Sequence, residues 1–130
     1  MYRLILFLCI SAISQAQAQQ IDVRALQPDQ PYDNVFSKQL YSDSLTTTFV
    51  IWIKAQVPLH KHATHTEQVF ILEGTAQMTL GDSLFTVQAG DHIFIPMGTP
   101  HKAVVTSTTP LKVLSIQTPM FDGTDRIKLE

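Results

Sequence analysis

The sequence predicts an all-β domain, a sandwich or barrel of seven or eight short strands, and three observations carry that prediction. Thr46 to Ile53 are without exception β-branched or aromatic, the residue types that fit a pleated, half-buried surface. Turn signals follow at short intervals: Glu73-Gly74, Gly81-Asp82-Ser83, Ala89-Gly90-Asp91, and the rigid Pro96-Met97-Gly98-Thr99-Pro100. Strands about eight to twelve residues apart with such punctuation mark a sandwich or barrel. No stretch sustains the 3.6-residue apolar period of an amphipathic helix.

The elements follow in order. Residues 35–41 alternate weakly and read as a first, edge-type strand. Residues 46–57 read as one long strand closed by Pro58. Residues 68–72 and 75–80 read as a hairpin turning at Glu73-Gly74. Residues 84–88, 92–95, 102–106 and 111–117 complete the set, the last two as a pair across residues 107–110. Trp52, Phe70, Phe85 and Phe94, with Met78 and Met97, are expected in the core, since so small a barrel needs large apolar groups for packing. Lys61 alternates outward between two histidines and is expected in solvent. The tail, residues 119–130, has few apolar groups and is expected to pack on the outside.

The length of 130 residues accommodates one domain. Its first 18 residues read as a cleavable signal peptide, with the short basic start Met1-Tyr2-Arg3, an apolar run from Leu4 to Ile13, and the small-x-small site Ala16-Gln17-Ala18. The run is too short to span a bilayer, which takes about 20 residues. The expected organisation is thus signal peptide 1–18, arm and possible edge strand 19–44, barrel 45–118 and tail 119–130. It implies a protein exported to the periplasm or beyond, without stable membrane insertion. The single cysteine, Cys9, lies in the leader, after a Leu8 too bulky for a lipoprotein box. The mature chain therefore offers no disulfide, no catalytic thiol and no thiolate metal ligand. With 9 Lys+Arg against 11 Asp+Glu, and 8 against 11 once Arg3 is removed, charges are sparse and scattered without runs. Such a surface lacks the basic footprint of a nucleic-acid binder.

All five histidines, His60, His62, His65, His92 and His101, fall within 42 residues. His60 and His62 are two apart, so on a strand both imidazoles face one side. Glu67 opens the next strand, and His101 follows a Pro-x-Gly-x-x turn to open a later one. Three imidazoles and a carboxylate form a mixed nitrogen and oxygen set. It suits one divalent transition metal (Cu, Zn, Fe, Mn or Ni; Co fits equally) and does not suit Ca or Mg. Four protein ligands would leave a six-coordinate ion two positions for substrate or O2, a catalytic arrangement. His65, in the loop between these residues, reads as exposed, with a pocket-mouth proton shuttle or substrate contact as the sharper alternative. His92 reads as a barrel-wall or rim residue, with a pocket role as the second reading. Met97, beside His101, is a possible pocket edge.

The spacing His60-x-His62-(four residues)-Glu67-(six residues)-Gly74, followed by Gly90-(five residues)-Pro96-x-Gly98-x-x-His101, resembles the two motifs of the cupin superfamily. The resemblance covers residues 46–117. It implies a jelly-roll barrel, or double-stranded β-helix, of the small single-domain kind. It places His60, His62, Glu67 and His101 on the family's metal ligands, and Gly74, Gly90, Gly98 and Pro96 on its turn residues. The chain departs from the family at Lys54, where a glycine is common, and at Val105, where an asparagine is common; neither is a ligand position. By resemblance the leading activity is that of a metal-dependent dioxygenase acting on a small oxygen-chelating molecule, with Glu67 both ligating and accepting a substrate proton. The alternatives are a metal-assisted isomerase, epimerase or lyase on a sugar or hydroxy acid, and a non-enzymatic module that binds or senses a small ligand. The N-terminal edge strand, through residues 19–41, is expected to reach a second subunit and make a homodimer.

Overall fold

The computed structural model describes residues 19–130, so the expected signal peptide lies outside the described residues. Among the described residues there are ten strands: β1 (Val35–Ser42), β2 (Thr47–Ile53), β3 (Gln56–His62), β4 (Thr66–Glu73), β5 (Thr75–Leu80), β6 (Ser83–Gln88), β7 (His92–Ile95), β8 (His101–Val105), β9 (Leu111–Thr118) and β10 (Arg126–Lys128). They form two five-stranded antiparallel sheets, ordered β1-β2-β9-β4-β7 and β10-β3-β8-β5-β6. This is the jelly-roll architecture. No helix among the described residues is long and apolar enough to cross a membrane.

Only β1-β2 and β5-β6 are hairpins between consecutive strands of one sheet; every other connection crosses to the opposite sheet. Three expectations change for this reason. The stretch 46–57 is two strands, broken at Lys54-Ala55, where the chain passes between sheets. Pro58 does not end a strand but sits within β3, where the β3-β8 register shifts between Val57 and His60. A bulge of this kind tolerates a residue that has no N–H to donate. β4 and β5 are not paired, and neither are β8 and β9: β9 lies between β2 and β4, and β8 between β3 and β5. Gly74 makes the β4-to-β5 crossing. Its φ is +83°, and a Cβ there would stand 2.9 Å from the Pro110 carbonyl oxygen and 3.0 Å from Leu111 Cα. Glycine alone meets both demands.

Between the sheets lies a core of Ile53, Ile71, Ala76, Met78, Val87, Ile93, Ile95, Leu111 and Val113, each at most 6% exposed. Strand alternation decides which aromatics join it. Val69 and Ile71 point inward, so Phe70 between them points out and stacks on His92 with ring centroids 4.3 Å apart. Ile93 and Ile95 point inward, so Phe94 is 54% exposed. Phe70 and Phe94 are therefore surface residues, contrary to expectation, while Phe85 packs partly buried against the core. Met97 is likewise exposed.

Trp52 is buried on the outer face of its sheet, against Phe36 (5.8 Å between centroids) and beside Lys112, its register partner on β9. Lys112 is only 1% exposed. Its ammonium donates to the carbonyls of Arg24 (2.7 Å) and Leu26 (2.8 Å) and reaches Glu73 at 3.4 Å. A buried ammonium needs such partners. The segment expected to reach a second subunit is thus fastened to its own barrel, with β1 paired to β2. The tail packs on the outside of the barrel, but as an ordered strand with one buried residue. β10 pairs with the edge of β3, and Asp125 before it is buried.

Candidate metal centre

His60 and His62 face the barrel interior from β3, and His101, the first residue of β8, is the cross-strand partner of His60. Ring centroids are 4.1 Å apart for His60–His101, 5.3 Å for His60–His62 and 5.6 Å for His62–His101. Glu67 approaches from β4 on the opposite sheet. All four are buried, at most 6% exposed. The turn before His101 is tied to β3 by a hydrogen bond from the Gly98 N–H to the His62 carbonyl (2.7 Å). This bond fixes β8 against the two β3 histidines.

The outer nitrogens of the rings are already committed. His60 Nδ1 donates to the Pro58 carbonyl at 2.8 Å, and His101 Nδ1 donates to the Thr99 carbonyl at 3.0 Å. His62 Nδ1 donates to Asp125 Oδ1 at 3.1 Å. An N–H at Nδ1 leaves Nε2 as the lone-pair nitrogen, the tautomer a metal requires. Glu67 divides its oxygens. Oε1 accepts from Ser115 Oγ (2.5 Å) and Gln117 Nε2 (3.5 Å); Oε2 faces His62 Nε2 at 3.6 Å and His101 Nε2 at 3.4 Å. Despite that proximity, the buried His101 Nε2 makes no hydrogen bond. An orphaned, buried lone-pair nitrogen costs free energy unless something else engages it. The ligand atoms of His60, His62 and His101 all lie within 4.8 Å of one another and could hold one metal ion. The donor set and the orphaned nitrogen therefore fit a divalent transition metal, with Glu67 beside two of the three imidazoles.

The electrostatics differ from one candidate ligand to the next. Burial drives the pKa of His60 down to about 4, with help from His101 and Arg126, so the ring is neutral near pH 7. Burial would raise Glu67, but the adjacent His101 and His62 rings and the hydrogen bond from Ser115 outweigh it and hold the group a carboxylate well below the usual range. Burial would lower His62, yet Glu67 and Asp125 together raise it.

His65 is not the exposed loop residue that its position suggested: it is 3% exposed. Its Nδ1 bonds Asp125 Oδ2, and its Nε2 donates to the Met120 carbonyl at 2.6 Å. With both ring nitrogens facing acceptors, the imidazolium form is favoured; burial opposes this, but Met120 and Asp125 raise the pKa. His62, His65 and Asp125 also have metal-like spacing. The hydrogen bonds to His65 occupy both nitrogens, so the cluster reads as a hydrogen-bonded latch. Asp125 further accepts from the Thr64 N–H and hydroxyl, both at 3.2 Å. Neither His65 nor Met97 lines the cavity. His92 lies on the outer wall against Phe70.

The cavity beside the histidines encloses about 190 Å3. Its wall is largely apolar, with Ile51, Val57, Val69, Ile71, Met78 and Val113 among the lining residues; besides the candidate ligands, the polar lining groups are Ser37, Lys102, Gln117 and Arg126. Sequence reasoning missed Ser115, Gln117, Phe121, Asp125 and Arg126. A signal existed for the first two: Leu111, Val113, Ser115 and Gln117 share one face of β9, which turns from apolar to polar toward the site. None existed for Asp125 and Arg126, which sit in a tail without periodicity.

Comparison with known proteins agrees with this geometry. Residues 47–117 match the Cupin_2 family, described as a cupin domain. An uncharacterised protein of Methanocaldococcus jannaschii is 40% identical over 81 residues, 62% of this chain and 65% of that protein. The mannose-1-phosphate guanylyltransferase RfbM of Salmonella typhimurium is 35% identical over 69 residues, 53% of this chain and only 14% of that enzyme. Among solved structures, a Klebsiella pneumoniae protein with a double-stranded β-helix domain superposes with a TM-score of 0.72 at 16% identity, covering 88% of this chain and 99% of that one. With more than half its residues matching the family and the same barrel around its histidines, the chain belongs to the cupins.

Proposed function

We propose that the protein binds one divalent transition metal through His60, His62 and His101, with Glu67 as the carboxylate ligand, and that it is a metal-dependent oxidoreductase of the dioxygenase type acting on a small oxygen-donor substrate. The observation that carries this reading is the set of three imidazoles whose Nδ1 atoms are committed to fixed acceptors, placed on the wall of a largely apolar cavity. A bound metal would supply Lewis acidity or redox chemistry to a substrate oxygen. The protein's own residues do the rest. Ser115 and Gln117 fix one oxygen of Glu67 and leave Oε2 to face the site. A carboxylate held so far below its ordinary pKa is a ligand first and a weak base second; it takes a proton only from an acidic hydroxyl. The apolar wall excludes water and packs the body of the substrate.

A second reading is metal-assisted isomerisation or elimination on a sugar; the name of the guanylyltransferase relative speaks for a sugar phosphate as ligand, and for no such reaction. The wall argues against it. A sugar's hydroxyls would be buried without partners there, at about 1–3 kcal/mol each. The test is O2 uptake by the full chain loaded in turn with Fe, Cu, Mn, Ni or Zn, against catechol, flavonol and hydroxy-acid substrates. The expected result is O2 consumption that disappears in His101→Ala. Turnover without O2 would instead support the isomerase or lyase, and tight binding without turnover the sensing module.

Export is part of the proposal. The leader lacks a twin-arginine pair, which favours export of the unfolded chain and metal loading outside the cytoplasm. There the affinity order favours Cu and Zn over Mn and Fe. Metal analysis of protein taken from the cytoplasm and from the exported fraction should differ, and equal Fe or Mn in both would contradict this. A homodimer is proposed through the outer edge of β1, the end strand of its sheet.

A further inference from the structure

The metal-site reading leaves Arg126 unused. Arg126 lines the cavity from β10, a strand of only three residues at the open edge of its sheet. In the β10-β3 ladder Arg126 is the partner of His62 and Lys128 the partner of His60. Residues directly opposite one another in an antiparallel pair project to the same face. The register therefore sets the exposed Arg126 side chain on the cavity wall beside the histidine cluster. Its charge is felt at His60. Yet among the described residues the guanidinium makes no hydrogen bond and no ion pair, although Asp125, its chain neighbour, is fully engaged with His62, His65 and Thr64. Lys102 also borders the cavity, but on β8 it alternates outward from His101. Lys128, opposite His60, projects to the same face but does not line the cavity. Arg126 is thus the cation that lines the site from the histidine face, with the Glu67 charge near it but no direct partner among the described residues. Its planar fork matches a carboxylate in two parallel bonds.

The rest of the wall is largely apolar, and about 190 Å3 is little more than the engineered apolar cavity of about 150 Å3 that holds a benzene molecule. We propose that the ligand of this cavity is a small monocarboxylate with an apolar body near the size of one aromatic ring, its carboxylate paired with Arg126 beside the histidines and its body against the aliphatic wall. This rests on the metal-site reading for the chemistry, while the carboxylate recognition stands on Arg126 and the wall.

The test is calorimetric titration of the zinc-loaded full chain with benzoate, its neutral isostere benzamide, and gluconate, a carboxylate without an apolar body. Benzoate should bind about tenfold or more tightly than either. Arg126→Gln should abolish the preference over benzamide, Arg126→Lys should retain part of it, and both variants should keep the zinc content of the parent. Equal binding of benzoate and benzamide, a preference that survives Arg126→Gln, or no measurable benzoate binding would each overturn the inference. A parent chain that takes up no zinc would overturn the metal reading instead, and the same titrations without zinc would then decide the carboxylate separately.

Discussion

His60 and His101 are each oriented by a backbone carbonyl two residues upstream, whereas His62 is oriented by a carboxylate 63 residues downstream. The first two arrangements are local. The path of β3 through Pro58, and of the turn through Thr99, sets them wherever those segments form. The third exists only when the tail docks and buries Asp125. The difference also shows in charge: burial takes His60 down to about 4 although the Pro58 carbonyl opposes it, while at His62 two carboxylates outweigh burial and the pKa rises. Two candidate ligands are therefore prepared by the barrel, and the third is conditional on a segment outside the matched family span.

The comparison can be broken at several points. The largest effect belongs to a ligand itself. His101→Ala should weaken metal binding by more than the 10–100-fold typical of losing an outer partner, with far-UV circular dichroism unchanged. Metal content equal to the parent would remove His101 from the site. Next is Asp125→Asn, which keeps the shape and removes the charge. A fall of about 10–100-fold in affinity, read by competition with a chelator, is expected. An unchanged affinity would mean that His62 needs no help from the tail.

Smaller is the pH dependence of the metal-free chain. Asp125 is pulled to about 2: burial alone would raise it, but His65 and His62 outweigh that. Its stabilising contribution is therefore complete above the ordinary value of about 3.9 and is lost as pH falls toward 2. The pKa of His65 is raised. Its contribution is complete below about 6.5 and is lost as pH rises through the folded value. The pair should hold the tail best between about pH 4 and 6.5. In urea unfolding, the stability difference between the parent and His65→Gln should be largest in that window and shrink on either side; the contributions of His60 and His62 are common to both chains. A difference that does not vary with pH would show that His65 acts by packing alone. Smallest is Met97→Ala. At an exposed loop position it should change stability by less than about 0.5 kcal/mol and metal affinity not at all. A loss of affinity would return Met97 to the pocket.

The same local-versus-remote distinction explains what could be read from the sequence. The all-β class followed from β-branched runs and turn residues, both local properties, and the structure agrees with it. His60 and His62 were legible as a pair because strand periodicity alone puts them on one face. Strand partnership was not legible. Neighbours in sequence such as β4 and β5 invite pairing, and only the closed barrel, with Gly74 pressed against Pro110, sends them to opposite sheets. Phe70 and Phe94 were misplaced because hydrophobicity was weighed before alternation; their neighbours Val69, Ile71, Ile93 and Ile95 had already taken the inward face. Asp125 and Arg126 lie in a polar tail after Asp122-Gly123. Burial of that carboxylate follows from a tertiary contact with His62 and His65, which no pattern within the tail records.

The central claim, a metal held by three imidazoles, is tested most directly by pulsed electron paramagnetic resonance on the copper-loaded full chain, together with its metal stoichiometry. One ion per chain, with modulation from three imidazole nitrogens, is the result predicted. No bound ion, or a bound ion whose spectrum shows fewer imidazoles than three, would contradict it.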